Sequence, residues 1–292
     1  MFHVEHFITL YFLMGKIIAI CNQKGGIGKT TSAINISSYL AIFGKKVLLI
    51  DLDPQANATS GIGVDRHGVK KSTYHILLEE AEIKEIIIPT LVENLFLLPS
   101  NLDLTGAEVE LVSALGREYR LKKALSGIKE DYDFIIIDSP PSLGLLTINA
   151  LCSADSVLIP VQCEYYALEG LSQLMNTINL VKNNINPNLA IEGVVLTMAD
   201  FRTNLSREVI REVKNNFKEK VYDTVIPRSI RLSEAPSYGK PIALYDRNNL
   251  GSVKYEELTR EILGLPAFET KPNATVVEKP CHCEERSDEA IL

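Results

Sequence analysis

Asn22-Gln23-Lys24-Gly25-Gly26-Ile27-Gly28-Lys29-Thr30-Thr31 is the stretch whose reading decides the fold. It follows an apolar run, Lys16-Ile17-Ile18-Ala19-Ile20, and precedes a helix-compatible run from Thr31 to Phe43. Strand, glycine-rich loop and helix in that order wrap backbone N–H groups around phosphate oxygens and aim the helix N-terminus at the anion. The common pattern G-x-x-x-x-G-K-[ST] is missed, because Gln23 stands at the first glycine position. A second lysine, Lys24, opens the loop instead. Lys24, Gly25, Gly26, Ile27, Gly28, Lys29, Thr30 and Thr31 are therefore read as nucleotide-binding, with Lys24 kept for a task beyond the local nucleotide.

Working outward, the apolar runs Lys46–Ile50, Leu95–Leu98, Phe134–Ile137, Ser156–Val161 and Ile191–Thr197 read as buried strands. Helical patterns lie between them, notably Leu168–Val181 and Leu205–Phe217. Strands alternating with helices predict an α/β fold, a mostly parallel sheet with helices on both faces. Ligands of such sheets bind at the carboxyl ends of the strands, where the motifs here fall. The domain is read as residues 14–265, with 1–13 a non-native or disordered extension and 266–292 a disordered, charge-rich tail.

Bulk properties narrow the function classes. A net charge of −7 argues against a protein that coats nucleic acid with its whole surface, and leaves room for a local basic patch. Five irregularly placed cysteines make a disulfide framework unsuitable, which points to a reducing cytoplasm. Cys281-His282-Cys283 lacks the second ligand pair of a zinc site. The apolar start, Phe7 to Ile20, is broken by Gly15-Lys16 and falls short of the ~20 residues of a spanning helix.

Two acids follow apolar strands. Asp53 lies in Asp51-Leu52-Asp53-Pro54-Gln55, and Asp138 opens Asp138-Ser139-Pro140-Pro141-Ser142. A strand-end acid in a chain with a phosphate loop is the expected magnesium-side carboxylate, a role that fits Asp138, with the Thr30 hydroxyl as direct ligand. Asp53 is read as orienting the attacking water, and Lys29 as reaching the β- and γ-phosphates. Alone, a strand-end Asp before Pro is equally a turn cap. The phosphate loop and two such acids in this order point to Lys29 and Asp53 as catalytic, with ATP and Mg2+; a catalytic role for Lys24 comes only with the resemblance that follows.

These stretches, with Val161-Gln162-Cys163-Glu164-Tyr165-Tyr166-Ala167-Leu168-Glu169-Gly170 and Arg231-Leu232-Ser233-Glu234-Ala235-Pro236-Ser237, closely resemble the ParA/Soj family of partitioning ATPases. That family's loop is called a deviant Walker A motif, and the resemblance runs from about Met14 to Leu265. It implies an ATP-sandwich homodimer in which Lys24 reaches the partner's phosphates, with Gly25 and Gly26 allowing the loops to approach. It further implies nonspecific double-stranded DNA binding, a nucleoid location, and hydrolysis that is slow until a ParB-type centromere-binding protein stimulates it. Arg202 and Arg231, then Lys214, Lys218 and Arg228, are the DNA-binding residues it implies. Between Arg202 and Arg231, eight Lys/Arg stand against four acids, +4 within a chain of −7. Without the resemblance, Leu205–Phe217 reads as an amphipathic helix with a solvated charged face.

Relatives sharing the loop fit less well. MinD-type positioning ATPases, the alternative reading, carry a basic membrane-targeting helix, whereas Tyr255–Leu263 is acidic, so no stable membrane association is expected. Nitrogenase iron-protein relatives need cluster-holding cysteines, and Ser-Pro-Pro-Ser follows Asp138. A metabolic amidoligase would need a substrate pocket that no motif marks. Met1-Phe2-His3-Val4-Glu5-His6 back-translates to ATG-TTY-CAY-GTN-GAR-CAY. That string permits the inverted repeat TGTTCCACGTGGAACA, similar to the sites ParB proteins read. The segment is therefore read as translation from upstream of the true start.

Overall fold

In the computed structural model, residues 15–164 and 167–266 are described, with the side chains of 167–169 excepted. The readings of Met1–Leu13, Tyr165-Tyr166, the 267–292 tail and Cys281-His282-Cys283 lie outside these residues. The described chain forms one sheet of eight strands in the order β3-β4-β2-β5-β1-β6-β7-β8. The strands are β1 (Lys16–Ile20), β2 (Val47–Asp51), β3 (Ile88–Pro89), β4 (Leu95–Leu98), β5 (Phe134–Asp138), β6 (Ser156–Gln162), β7 (Ala190–Ala199) and β8 (Val221–Pro227). All neighbours pair parallel except β3 with β4. Five helices are nine residues or longer: α1 (Lys29–Ile42), α2 (Leu145–Ser153), α3 (Ala167–Asn184), α4 (Asn204–Phe217) and α5 (Leu250–Ile262).

Successive strand side chains point to opposite faces, so one apolar run feeds two cores. Ile17, Ala19, Leu48, Ile50, Ile135 and Ile137 join the core that Leu146 of α2, Leu174 of α3 and Val213 of α4 close. Ile18, Ile20, Val47, Leu49 and Ile136 join the other, closed by Tyr39 and Leu40 of α1 and by Tyr255 and Leu258 of α5. Two buried hydroxyl pairs tie α5 to α1: Tyr39 with Ser252 at 2.7 Å and Tyr255 with Ser32 at 3.0 Å. The apolar face of α5 is thus spent inside the protein, not left for a bilayer. Among the described residues no helix is long and apolar enough to cross a membrane.

Each strand expected from an apolar run forms, within two residues at either end. Two strands carry no such signal. β3 is two residues long and ends on Pro89. β8 carries Tyr222, Asp223 and Thr224 because it is an edge. Its unpaired backbone is covered by Glu261 of α5, whose carboxylate accepts the N–H groups of Asp223 and Thr224 at 2.9 Å each.

Gly63 and Gly239 pack backbone against backbone, both at positive φ (96° and 62°). A Cβ on Gly239 would stand 2.8 Å from the Gly63 Cα. Gly239→Ala is expected to cost about 1–3 kcal/mol through strain and overlap, read as a lower urea midpoint with unchanged slope.

Candidate active site

Register sets the site. Ile20 pairs with Asp138, and Asp138 pairs with Asp51, so β1, β5 and β2 end at one level. The phosphate loop leaves β1 at that level. Asn22 anchors its start, donating to the Pro160 carbonyl (2.8 Å) and accepting the Lys24 N–H (3.2 Å). Gly28, the N-cap of α1, has φ 91°, a left-handed conformation that glycine adopts without the penalty a Cβ would bring. From there Lys29, Thr30 and Thr31 form the first turn, whose free N–H groups and dipole face an anion.

The Lys29 side chain is buried and donates to the Lys24 carbonyl at 2.9 Å. Burial lowers its pKa, and the nearby Asp138 and Asp53 carboxylates oppose that shift. Lys24 is less buried; with Gln23, Pro141, Ser142 and Leu143 it lines an open depression of about 530 Å³. Lys24 thus lines an open surface while Lys29 is buried.

Asp138 is fully buried, and neither carboxylate oxygen meets a hydrogen-bond partner of ordinary geometry. Burial, then Asp51, drives its pKa well above the usual carboxylate range, and the Thr30 hydroxyl and Lys29 only partly oppose this. An orphaned buried carboxylate beside a threonine hydroxyl fits a hard divalent cation. Among the described residues no group of three or more His, Cys, Asp or Glu could hold a metal. Magnesium takes only one or two protein oxygens and fills its other positions with phosphate and water.

Asp51 was not singled out by the sequence reading, yet it is wholly buried at the end of β2. Burial pushes its carboxyl up to about 6, against hydrogen bonds from Thr59 and Asp53. Also missed was a cavity of about 130 Å³ beside Gly28, lined by Thr31, Thr197, Met198, Pro227, Leu232 and Tyr255. Its residues come from four separate stretches, and only Met198, a non-glycine residue at φ 53°, is locally unusual.

The expected DNA-binding residues come from separate segments of the chain. Arg202 and Arg228 stand at the carboxyl edge of the sheet, just beyond β7 and β8, with Arg231 three residues on. α4 then runs back toward the other end of the strands, about 20 Å along its 14 residues, with Lys214 in its last turn and Lys218 just past its end. Arg202 forms a two-pronged pair with Asp200 (2.8 and 2.7 Å), which holds the Asp200 carboxyl down at about 2. Arg228 pairs with Glu164 (2.8 Å), Arg231 with Glu234 (3.0 Å), and Lys214 with Asp223 (3.2 Å).

A family profile described as an AAA domain matches residues 15–191. The chain is 60% identical over 249 residues to the sporulation initiation inhibitor protein Soj of Bacillus subtilis, spanning 85% of this chain and 98% of that protein. It is 53% identical over 250 residues to the chromosome partitioning protein ParA of Myxococcus xanthus, spanning 86% and 88%. Cobyrinic acid a,c-diamide synthase from Mycobacterium smegmatis, solved with bound ADP and magnesium, superposes with a TM-score of 0.77 at 36% identity, covering 87% of this chain and 99% of that one. Sheet order, phosphate loop and strand-end acids define a P-loop nucleotide hydrolase of the deviant Walker A type. Within that class the chain belongs to the ParA/Soj family of chromosome-partitioning ATPases. Because a biosynthetic synthase shares the sheet, the assignment rests on sequence identity and not on fold alone.

Raised carboxyl pKa values fix a sign. Asp51, pushed up to about 6, contributes stability that is present below its unfolded value of 3.8 and is lost as pH rises through about 6. Asp138 shifts in the same direction, so the metal-free protein also loses stability through this group as pH rises from the acid range to neutrality. Asp138→Asn is expected to raise the nucleotide- and metal-free Tm at pH 7. The gain should shrink toward pH 4, and stabilisation by Mg-ATP should weaken in the same variant, as differential scanning fluorimetry would show.

Proposed function

We propose that this partitioning ATPase is a nucleotide-gated DNA-binding switch whose resident pair is ATP and Mg2+. The observation that carries the reading is the pairing of a buried lysine with one that lines an open surface on one phosphate loop, beside a buried carboxylate without a partner. Thr30 and Asp138 would hold magnesium, which when bound adds positive charge at the phosphate oxygens. The loop N–H groups and Lys29 bind the phosphates, Lys29 first giving up its bond to the Lys24 carbonyl. Asp53 orients the attacking water from its turn beyond β2. The cavity beside Gly28 takes the base. Lys24 of each subunit reaches the partner's phosphates, so the site is complete only in an ATP-bound homodimer.

The dimer binds double-stranded DNA without sequence preference through Arg202 and Arg231, with Lys214, Lys218 and Arg228 in support. ParB-type stimulation of slow hydrolysis then releases it, and the protein acts in the cytoplasm on the nucleoid. The Arg202–Asp200 pair bears on strength: a carboxylate on the guanidinium competes with phosphate and repels it.

Fluorescence anisotropy on random-sequence duplex DNA, with ATP or ADP across salt, tests the reading. Binding is expected with ATP, weakening steeply with salt, and is expected to be absent with ADP and in Lys24→Ala. Equal binding in both nucleotide states, or none in either, would overturn the switch. Asp200→Asn is expected to tighten binding severalfold, and Arg202→Ala to weaken it. An unchanged affinity in Asp200→Asn would remove the competition argument.

A further inference from the structure

Four buried residues close a ring of hydrogen bonds around the Asp53 turn. Asp51 accepts the Asp53 backbone N–H on Oδ1 at 3.1 Å. Its Oδ2 accepts both the N–H and the hydroxyl of Thr59, each at 2.7 Å. The Thr59 hydroxyl in turn accepts the backbone N–H of Ser100 at 2.9 Å, two residues beyond the end of β4. Ser100 completes the circuit by donating its own hydroxyl to the Asp53 carbonyl at 2.8 Å. Asp51, Thr59 and Ser100 are wholly buried, and Asp53 is 7% exposed.

The ring answers a mechanical problem. Asp53 lies two residues past β2, where sheet hydrogen bonds no longer fix the chain, yet a water-orienting carboxylate tolerates little displacement. The ring holds the Asp53 peptide at both polar ends, N–H and C=O. The Gln55 N–H, donated to Asp53 Oδ1 at 2.9 Å, limits the side chain itself. Threonine suits the bridging position because one hydroxyl both donates and accepts. Valine has its shape and can do neither.

We propose that Thr59 and Ser100 are positioning residues for ATP hydrolysis, locking the Asp53 turn against the ends of β2 and β4. The proposal rests on the reading of Asp53 as the residue that orients water. The nucleotide step is unchanged by it: both residues act through Asp53 and neither donates a group to the reaction.

Single-turnover ATP hydrolysis by the full chain, beside ATP affinity and thermal melting, tests it with Thr59→Val, Thr59→Ser, Ser100→Ala and Asp53→Ala. Thr59→Val is expected to slow hydrolysis by about tenfold or more while ATP affinity stays within about twofold. Thr59→Ser, which keeps the hydroxyl, is expected to restore the rate. A folded, ATP-binding Thr59→Val protein with the wild-type rate would overturn the proposal. So would equal losses of rate and affinity that serine does not rescue, since those mark general damage. Should the valine variant fail to fold, Ser100→Ala carries the same test, because it removes one bond to the Asp53 carbonyl. Hydrolysis at the normal rate by Asp53→Ala would sink the underlying reading of Asp53 separately from the ring.

Discussion

Ile20, Asp51 and Asp138 stand side by side where β1, β2 and β5 end, and the parallel register that places them there is the constraint behind the rest of the site. Adjacent strands lie about 4.8 Å apart, so two carboxylates and the root of the phosphate loop must share a few ångströms of buried space. One of the acids, Asp51, can be satisfied from within the protein, by Thr59 and the Asp53 N–H. Its neighbour Asp138 is not, and both of its carboxylate oxygens are left without a hydrogen-bond partner. Crowding thus separates two chemically identical side chains: one organises backbone, the other stays unpartnered.

The same crowding makes the empty site electrostatically uncomfortable. Lys29 is the nearest compensating charge, but burial weakens it and its ammonium leans on the Lys24 carbonyl. Local stability is thus given up at the ends of β1, β2 and β5, a pattern familiar in functional centres.

Away from the sheet ends, charge is handled differently. Arg202, Arg228, Arg231 and Lys214 each have an acid within 3.2 Å, so the local excess of +4 read from sequence overstates the free positive charge on that surface. Exposed pairs of this kind hold together weakly. They moderate attraction to a polyanion without abolishing it.

The class was legible before any coordinates. Lys24 to Thr31, flanked by an apolar strand and a helix, identified the loop, and six of the eight strands were legible because central parallel strands are buried on both faces and read as continuous apolar runs. β3 and β8 were not legible, since edge strands pair on one side and tolerate Pro89 or Asp223. Lys29, Thr30, Asp53 and Asp138 could be nominated because each lies within a few residues of a strand end. Tertiary structure alone decided how they work: that Asp51 and Asp138 are register partners, that Thr59 and Ser100 close a ring on Asp53, and that the expected DNA-binding cations divide between the two ends of the strands. Each of these depends on which strands lie side by side and on which way a helix runs, relations between distant residues that no local pattern of side chains encodes.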